Sequence, residues 1–111
     1  MTQSNSPQSA ALALAQLLTE YSDLPLLHWT VSPSGWWSGS KYGGFDARAA
    51  MAAFVAVVGG TPYEMWRPAK EDEPGEESFT TILNARWRDV DLYLSMGCDA
   101  ALVAEDAQVT L

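Results

Sequence analysis

His28 is the one histidine of the chain and Cys98 its one cysteine. Nucleophilic catalysis needs a nucleophile and a base within reach of each other. His28 falls in the middle of a strand pattern, on the side opposite Trp29, where a lone histidine reads as a surface residue. Cys98 follows Gly97 and stands beside Asp99. No positive charge marks it as an activated thiol, so it reads as a small hydrophobe. Zinc would want three or four Cys, His or carboxylate ligands, which this composition does not supply. An enzyme would need His28, or acids such as Glu64 and Asp91, to converge in one cleft with shifted pKa values. Nothing in the spacing brings them together, so no catalytic residue, no metal ligand set and no cofactor is assigned, and the reading leans against an enzyme.

The glycine pairs Gly43-Gly44 and Gly59-Gly60 lack the lysine of a phosphate loop and the spacing of a dinucleotide fingerprint. Residues 71–77, EDEPGEE, hold five acids, and Asp99, Glu105 and Asp106 add three in the tail. Those acids do not follow a calcium-loop pattern. Apart from them the chain is balanced, so the net charge of −8 belongs to one loop and one tail. Without a basic stripe the protein is not expected to bind nucleic acid, because neutralising phosphates supplies most of that affinity. No apolar run approaches the ~20 residues of a membrane span. The start, MTQSNSP, has no basic or apolar signal segment, and the single cysteine suits a reducing compartment. The expected setting is the cytoplasm.

The elements that must position these residues follow from periodicity. Ser6-Pro7 opens a helix, with a capping hydroxyl and a proline at the first helical position. Leu14, Leu17, Leu18 and Tyr21 mark one face of it, and it should run to about residue 22. Residues 26–32 alternate as a strand, Pro33-Ser34-Gly35 turns, and residues 36–42 return as a second strand. Asp46 caps a second helix lined by Ala47, Met51, Phe54, Val55 and Val58, which Gly59-Gly60 stops. Residues 61–67, 78–87 and 90–96 read as three more strands. A two-residue link at Arg88-Asp89 sets the last hairpin so that Trp87 faces Val90, Ala85 Leu92, Leu83 Leu94 and Thr81 Met96. On its other side Arg86 meets Asp91, Asn84 meets Tyr93 and Ile82 meets Ser95. The expected fold is α+β, order α-β-β-α-β-β-β: a mainly antiparallel five-stranded sheet with two helices packed on one face. Residues 1–6 form a disordered start, 7–97 a single domain, and 98–111 an acidic tail with room for a short helix.

Two helices clad only one side of five strands, yet the chain holds five tryptophans. Trp29 and Trp87 fall on the core side. Trp36 and Trp37 are adjacent, so they point to opposite sides of the sheet. A two- or four-residue loop before them sends Trp37 to the open side; a three-residue loop sends Trp36. If Tyr63 and Met65 face the helices, Trp66 points outward. The open face then carries Trp36 or Trp37, Trp66, Ile82 and Tyr93 among His28, Thr30, Asn84 and Arg86. Large aromatics bury ~150–250 Å² each, and a patch of them marks a contact site. A second core layer over this face is the competing reading.

The run LAQLLTEYSDLPLLHWTVSPSGWWSG resembles the opening of a group of small actinobacterial α+β proteins. Asp23-Leu24-Pro25, Trp29, Val31, Gly35 and Gly39 carry the resemblance, which covers the first half of the chain. It implies a bacterial, cytoplasmic setting and brings no activity or site residue with it. The sequence points to a non-enzymatic interaction domain, a homodimer or a binder of a protein partner through the aromatic face. The alternative is a module that stacks a sugar or flat metabolite on Trp37, Trp66 and Tyr93, with Asn84, Arg86 and His28 as polar contacts.

Overall fold

Ser6 accepts a hydrogen bond from the Ser9 amide through its side chain, and Pro7 follows at the first helical position. In the computed structural model, which describes residues 6–68 and 77–103, this cap starts helix α1, Pro7–Glu20. Strands β1 (His28–Val31) and β2 (Trp37–Gly43) follow. Asp46 caps helix α2 (Ala47–Val58) through the Ala49 amide, and Gly59 ends it at φ 79°. Strands β3 (Tyr63–Arg67), β4 (Ser78–Trp87) and β5 (Val90–Asp99) complete the order. Residues 100–103 are helical. The first five residues, the acidic run up to Glu76 and the tail beyond Val103 lie outside the described residues.

The five strands form one sheet in the order β1-β2-β5-β4-β3. The element order, the α+β class and the seven pairings expected for the β4–β5 hairpin, from Trp87↔Val90 to Thr81↔Met96, agree with the sequence reading. Arg88 and Asp89 both adopt positive φ, 51° and 65°, as a two-residue turn that follows the sheet's twist requires. Two features differ. The sheet is mixed, because β2 and β5 pair in parallel, and a third helical segment begins at residue 100. Parallel pairing is forced by direction. Helix α2 returns the chain so that β3 runs the way β2 runs, and two antiparallel steps then give β5 that same direction. Strand β5 also runs to Asp99, past the expected domain end at 97.

Both helices pack on one side of the sheet and share one core. From α1 come Ala10, Ala13, Leu14 and Leu17; Leu18 and Tyr21, expected on the same face, are exposed. From α2 come Ala47, Ala50, Met51, Phe54 and Val58. The sheet supplies Trp37, Phe79, Leu83, Leu92, Leu94 and Met96, and Val103 joins them from the last helical residues. Trp29 meets Trp37 edge-on at 5.4 Å and Phe54 at 5.9 Å. Gly39 makes room for this stack: a Cβ there would sit 2.5 Å from the Trp29 ring. Arg88 binds Glu20 through two hydrogen bonds of 2.8 and 2.7 Å and so ties α1 to the β4–β5 turn.

Candidate functional site

The strand register sorts every side chain to a face. On the side away from the helices, three rows run across the sheet. Trp36 lies level with Asp91 and Arg86; next come Thr30, Ser38, Tyr93 and Asn84; then His28, Ser40, Ser95, Ile82 and Tyr63. Beyond them Tyr42 lies beside Gly97, Thr80 and Met65. Trp36 (42%), Tyr42 (63%), Tyr63 (52%) and Tyr93 (38%) are exposed there, on a face that no described helix covers.

Of the residues expected at this face, the structure brings Trp36, His28, Ile82, Asn84, Arg86 and Tyr93 to it and leaves two out. Trp37 is fully buried in the core. The Ser32 amide donates to the Trp36 carbonyl at 2.7 Å, closing a three-residue loop with Gly35 at φ 89°. That odd count aligns Val31 with Trp37 on the helix side and sends Trp36 outward. Trp66 also lies on the helix side, in register with Phe79 and 4.7 Å from its ring. Glu64 shares that side and receives two hydrogen bonds from Arg48 of α2, at 3.0 and 2.9 Å. Strand β3 is therefore inverted relative to the sequence reading. It is an edge strand of half-exposed residues, so burial does not dictate which side its polar positions take. Tyr63, Met65 and Tyr42 are members of the face that the sequence reading missed. For Tyr42 the signal was present in the even spacing from Trp36, Ser38 and Ser40.

Polar groups on the face are mostly hydroxyls. Tyr42 Oη and Ser95 Oγ share a hydrogen bond of 2.5 Å, and Arg86 Nη1 donates to Asp91 Oδ1 at 3.0 Å. Between Trp36 and Tyr93 lies a shallow depression of about 460 Å³, bordered by Ser38, Asn84 and Asp91. The charges of the strands on this face are Arg67, Arg86, Asp91 and Asp99, so it is neutral in a chain of net charge −8.

The groups that might do chemistry are kept apart by the same register. Cys98 points to the helix side with Phe79, whereas His28 points to the open side. Burial pushes the Cys98 thiol up; the Ala47 amide pulls it down, and Asp46 and Asp99 push it up further. It is thus the opposite of an activated nucleophile. Glu64 and Asp91 lie on opposite faces, each held by an arginine. Among the described residues no group of three or more His, Cys, Asp or Glu is placed to hold a metal ion, and no helix is long and apolar enough to cross a membrane. Comparison with protein families, curated proteins and solved structures returns no match.

Proposed function

We propose that this protein is a non-enzymatic interaction domain that self-associates by stacking the helix-free face of its sheet on the same face of a second copy. The observation that carries the reading is the set of four exposed aromatics, Trp36, Tyr42, Tyr63 and Tyr93, on the unclad side of the sheet. Tryptophan, tyrosine and arginine are the residues that dominate binding energy at contact surfaces. Neutrality favours a second copy over a charged partner. A basic protein would be drawn to the acidic segments, whereas two neutral faces meet without repulsion. Size permits it. The five strands hold 36 residues, so at ~3.3 Å per residue and ~4.8 Å between strands the face offers about 570 Å² in projection, the low end of the range for a specific interface. Sheets stacked in this way pack ~10 Å apart with interleaved side chains. The same reading places the protein in a bacterial cytoplasm, away from nucleic acid and membranes.

Light scattering of the full chain, from micromolar to millimolar, tests the proposal. The wild type is expected at a multiple of the chain mass. The double variant Tyr63→Lys/Tyr93→Lys should lose that contact with its circular dichroism unchanged. A wild type that stays at 12 kDa throughout would overturn it.

The depression between Trp36 and Tyr93 favours a second reading, a module that stacks a sugar or flat metabolite there with Asn84 and Asp91 as hydrogen-bonding partners. In that case a neutral sugar titrated into the protein shifts tryptophan emission, and Trp36→Ala abolishes the shift.

A further inference from the structure

The two edges of the sheet are not built alike. Strand β3, at one edge, carries Glu64 and Arg67 and is flanked by Pro62 and Pro68. Charges and prolines at an edge discourage another strand from pairing with it. Strand β1, at the other edge, also has prolines near its ends, Pro25 and Pro33, but it carries no charged residue. From Leu24 to Ser40 the chain holds no Asp, Glu, Lys or Arg, although twenty such residues occur elsewhere. Leu26, just ahead of β1, is 84% exposed, the most exposed large hydrophobic residue described.

The backbone of β1 has bonds to give. Because Ser32 and Trp36 are hydrogen-bonded across the loop, the alternation of an antiparallel pair turns His28 and Thr30 toward β2. Leu27, Trp29 and Val31 therefore direct their N–H and C=O groups outward, where no strand lies among the described residues. We infer that this edge pairs antiparallel with the same edge of a second copy, Trp29 opposite Trp29 and Leu27 opposite Val31. Three residue pairs then exchange about six hydrogen bonds. Register and side chains agree. Leu26 comes level with the small Ser32 of the other copy, whose own neighbour across the hairpin is the exposed Trp36. Two Leu26–Trp36 contacts follow from the twofold symmetry. Charge supports a second copy as occupant. Chains of net charge −8 repel each other, and the uncharged hairpin is where they approach at least cost.

This contact is separate from the face-to-face docking proposed above. Its twofold axis stands perpendicular to the sheet, it joins two sheets edge to edge, and of the four exposed aromatics on the open face it touches Trp36 alone. The two contacts together make a tetramer with dihedral symmetry.

Light scattering of three chains tests it: wild type, an edge variant His28→Lys/Thr30→Lys, and the face variant Tyr63→Lys/Tyr93→Lys. His28 and Thr30 are exposed and face each other across the inferred contact, so the edge variant sets lysines opposite lysines. The edge variant is expected to halve the wild-type mass with an unchanged circular dichroism spectrum. Amide exchange at Leu27, Trp29 and Val31 should slow as wild-type concentration rises and stay fast in the edge variant. If the edge variant keeps the wild-type mass, the edge contact is overturned, whatever the face variant does. If the edge variant halves the mass but wild-type amide exchange at Leu27, Trp29 and Val31 does not slow with concentration, the two lysines, which also lie on the open face, have acted there and the edge contact is overturned. If that exchange slows and the face variant keeps the wild-type mass, the edge contact stands and the face reading fails. A wild type that is monomeric at every concentration overturns both.

Discussion

Thr81 shows what single positions contribute. It lies on the helix side of β4, in register with Met96, and is 1% exposed. Among the described residues its hydroxyl finds no hydrogen-bond partner, and neither does the Trp37 indole N–H. A buried polar atom without a partner costs ~1–3 kcal/mol. Thr81→Val keeps the branched shape and removes the orphan, so it is expected to stabilise the fold by about 1 kcal/mol. Thermal unfolding should register this as a rise of roughly 4–8 °C in Tm. The site itself was half legible at this scale. Asn84, Arg86, Tyr93 and Ile82 were placed by the parity of one hairpin, because the turn and the burial of one face specify the same register. Trp36 and Trp37 were not separable, since their sides depend on whether the preceding loop is odd or even, and Gly35 permits the odd one.

Helix α1 is a weakly anchored element, with two alanines among its four buried residues. Its end is held to the β4–β5 turn by the Arg88–Glu20 pair, and Arg88 also lies 4.2 Å above the Trp87 ring. The hydrogen bond from Arg88 holds the Glu20 carboxyl below its usual value of 4.5, with the guanidinium charge adding to the effect against partial desolvation. A carboxyl lowered in the folded state stabilises the fold above its unfolded pKa, and that contribution fades as pH falls through the folded value. Glu20→Gln is therefore expected to lower Tm at pH 7, and to lower it less as the pH falls through the folded pKa of Glu20. Thermal melts of both chains across that pH range check this. Among the strands, β4 was legible to the residue, being long, alternating and joined by a short turn. Strand β3 was not, because an edge strand wet on both sides obeys no pattern of burial, and the Arg48–Glu64 pair that orients it joins residues sixteen apart in the chain.

Taken whole, the described residues place helices on one side of the sheet and four exposed aromatics on the other, and neither proposed contact carries a net charge. Copies of net charge −8 repel at long range, while their neutral surfaces attract at short range. Association should therefore tighten with added salt. The Debye length falls from ~30 Å at ~0.01 M to ~8 Å at ~0.15 M. Sedimentation at the two ionic strengths is expected to show a smaller dissociation constant at the higher one; a larger one would mean that ion pairs, not apolar surface, hold the copies together.

Local pattern alone determined the α+β class, the element order, both helix caps and the β4–β5 register, because capping, periodicity and turn parity act over a few residues. It set the number of long helices at two, enough for one face, and no described helix covers the other. Only the tertiary structure decided that β5 returns to the middle of the sheet parallel to β2, that Trp36 rather than Trp37 looks outward, and that Trp66 joins the helix side. Each of these rests on contacts between residues far apart in the chain, where the choice of neighbour, and so of which side is buried, is made by packing and not by sequence spacing.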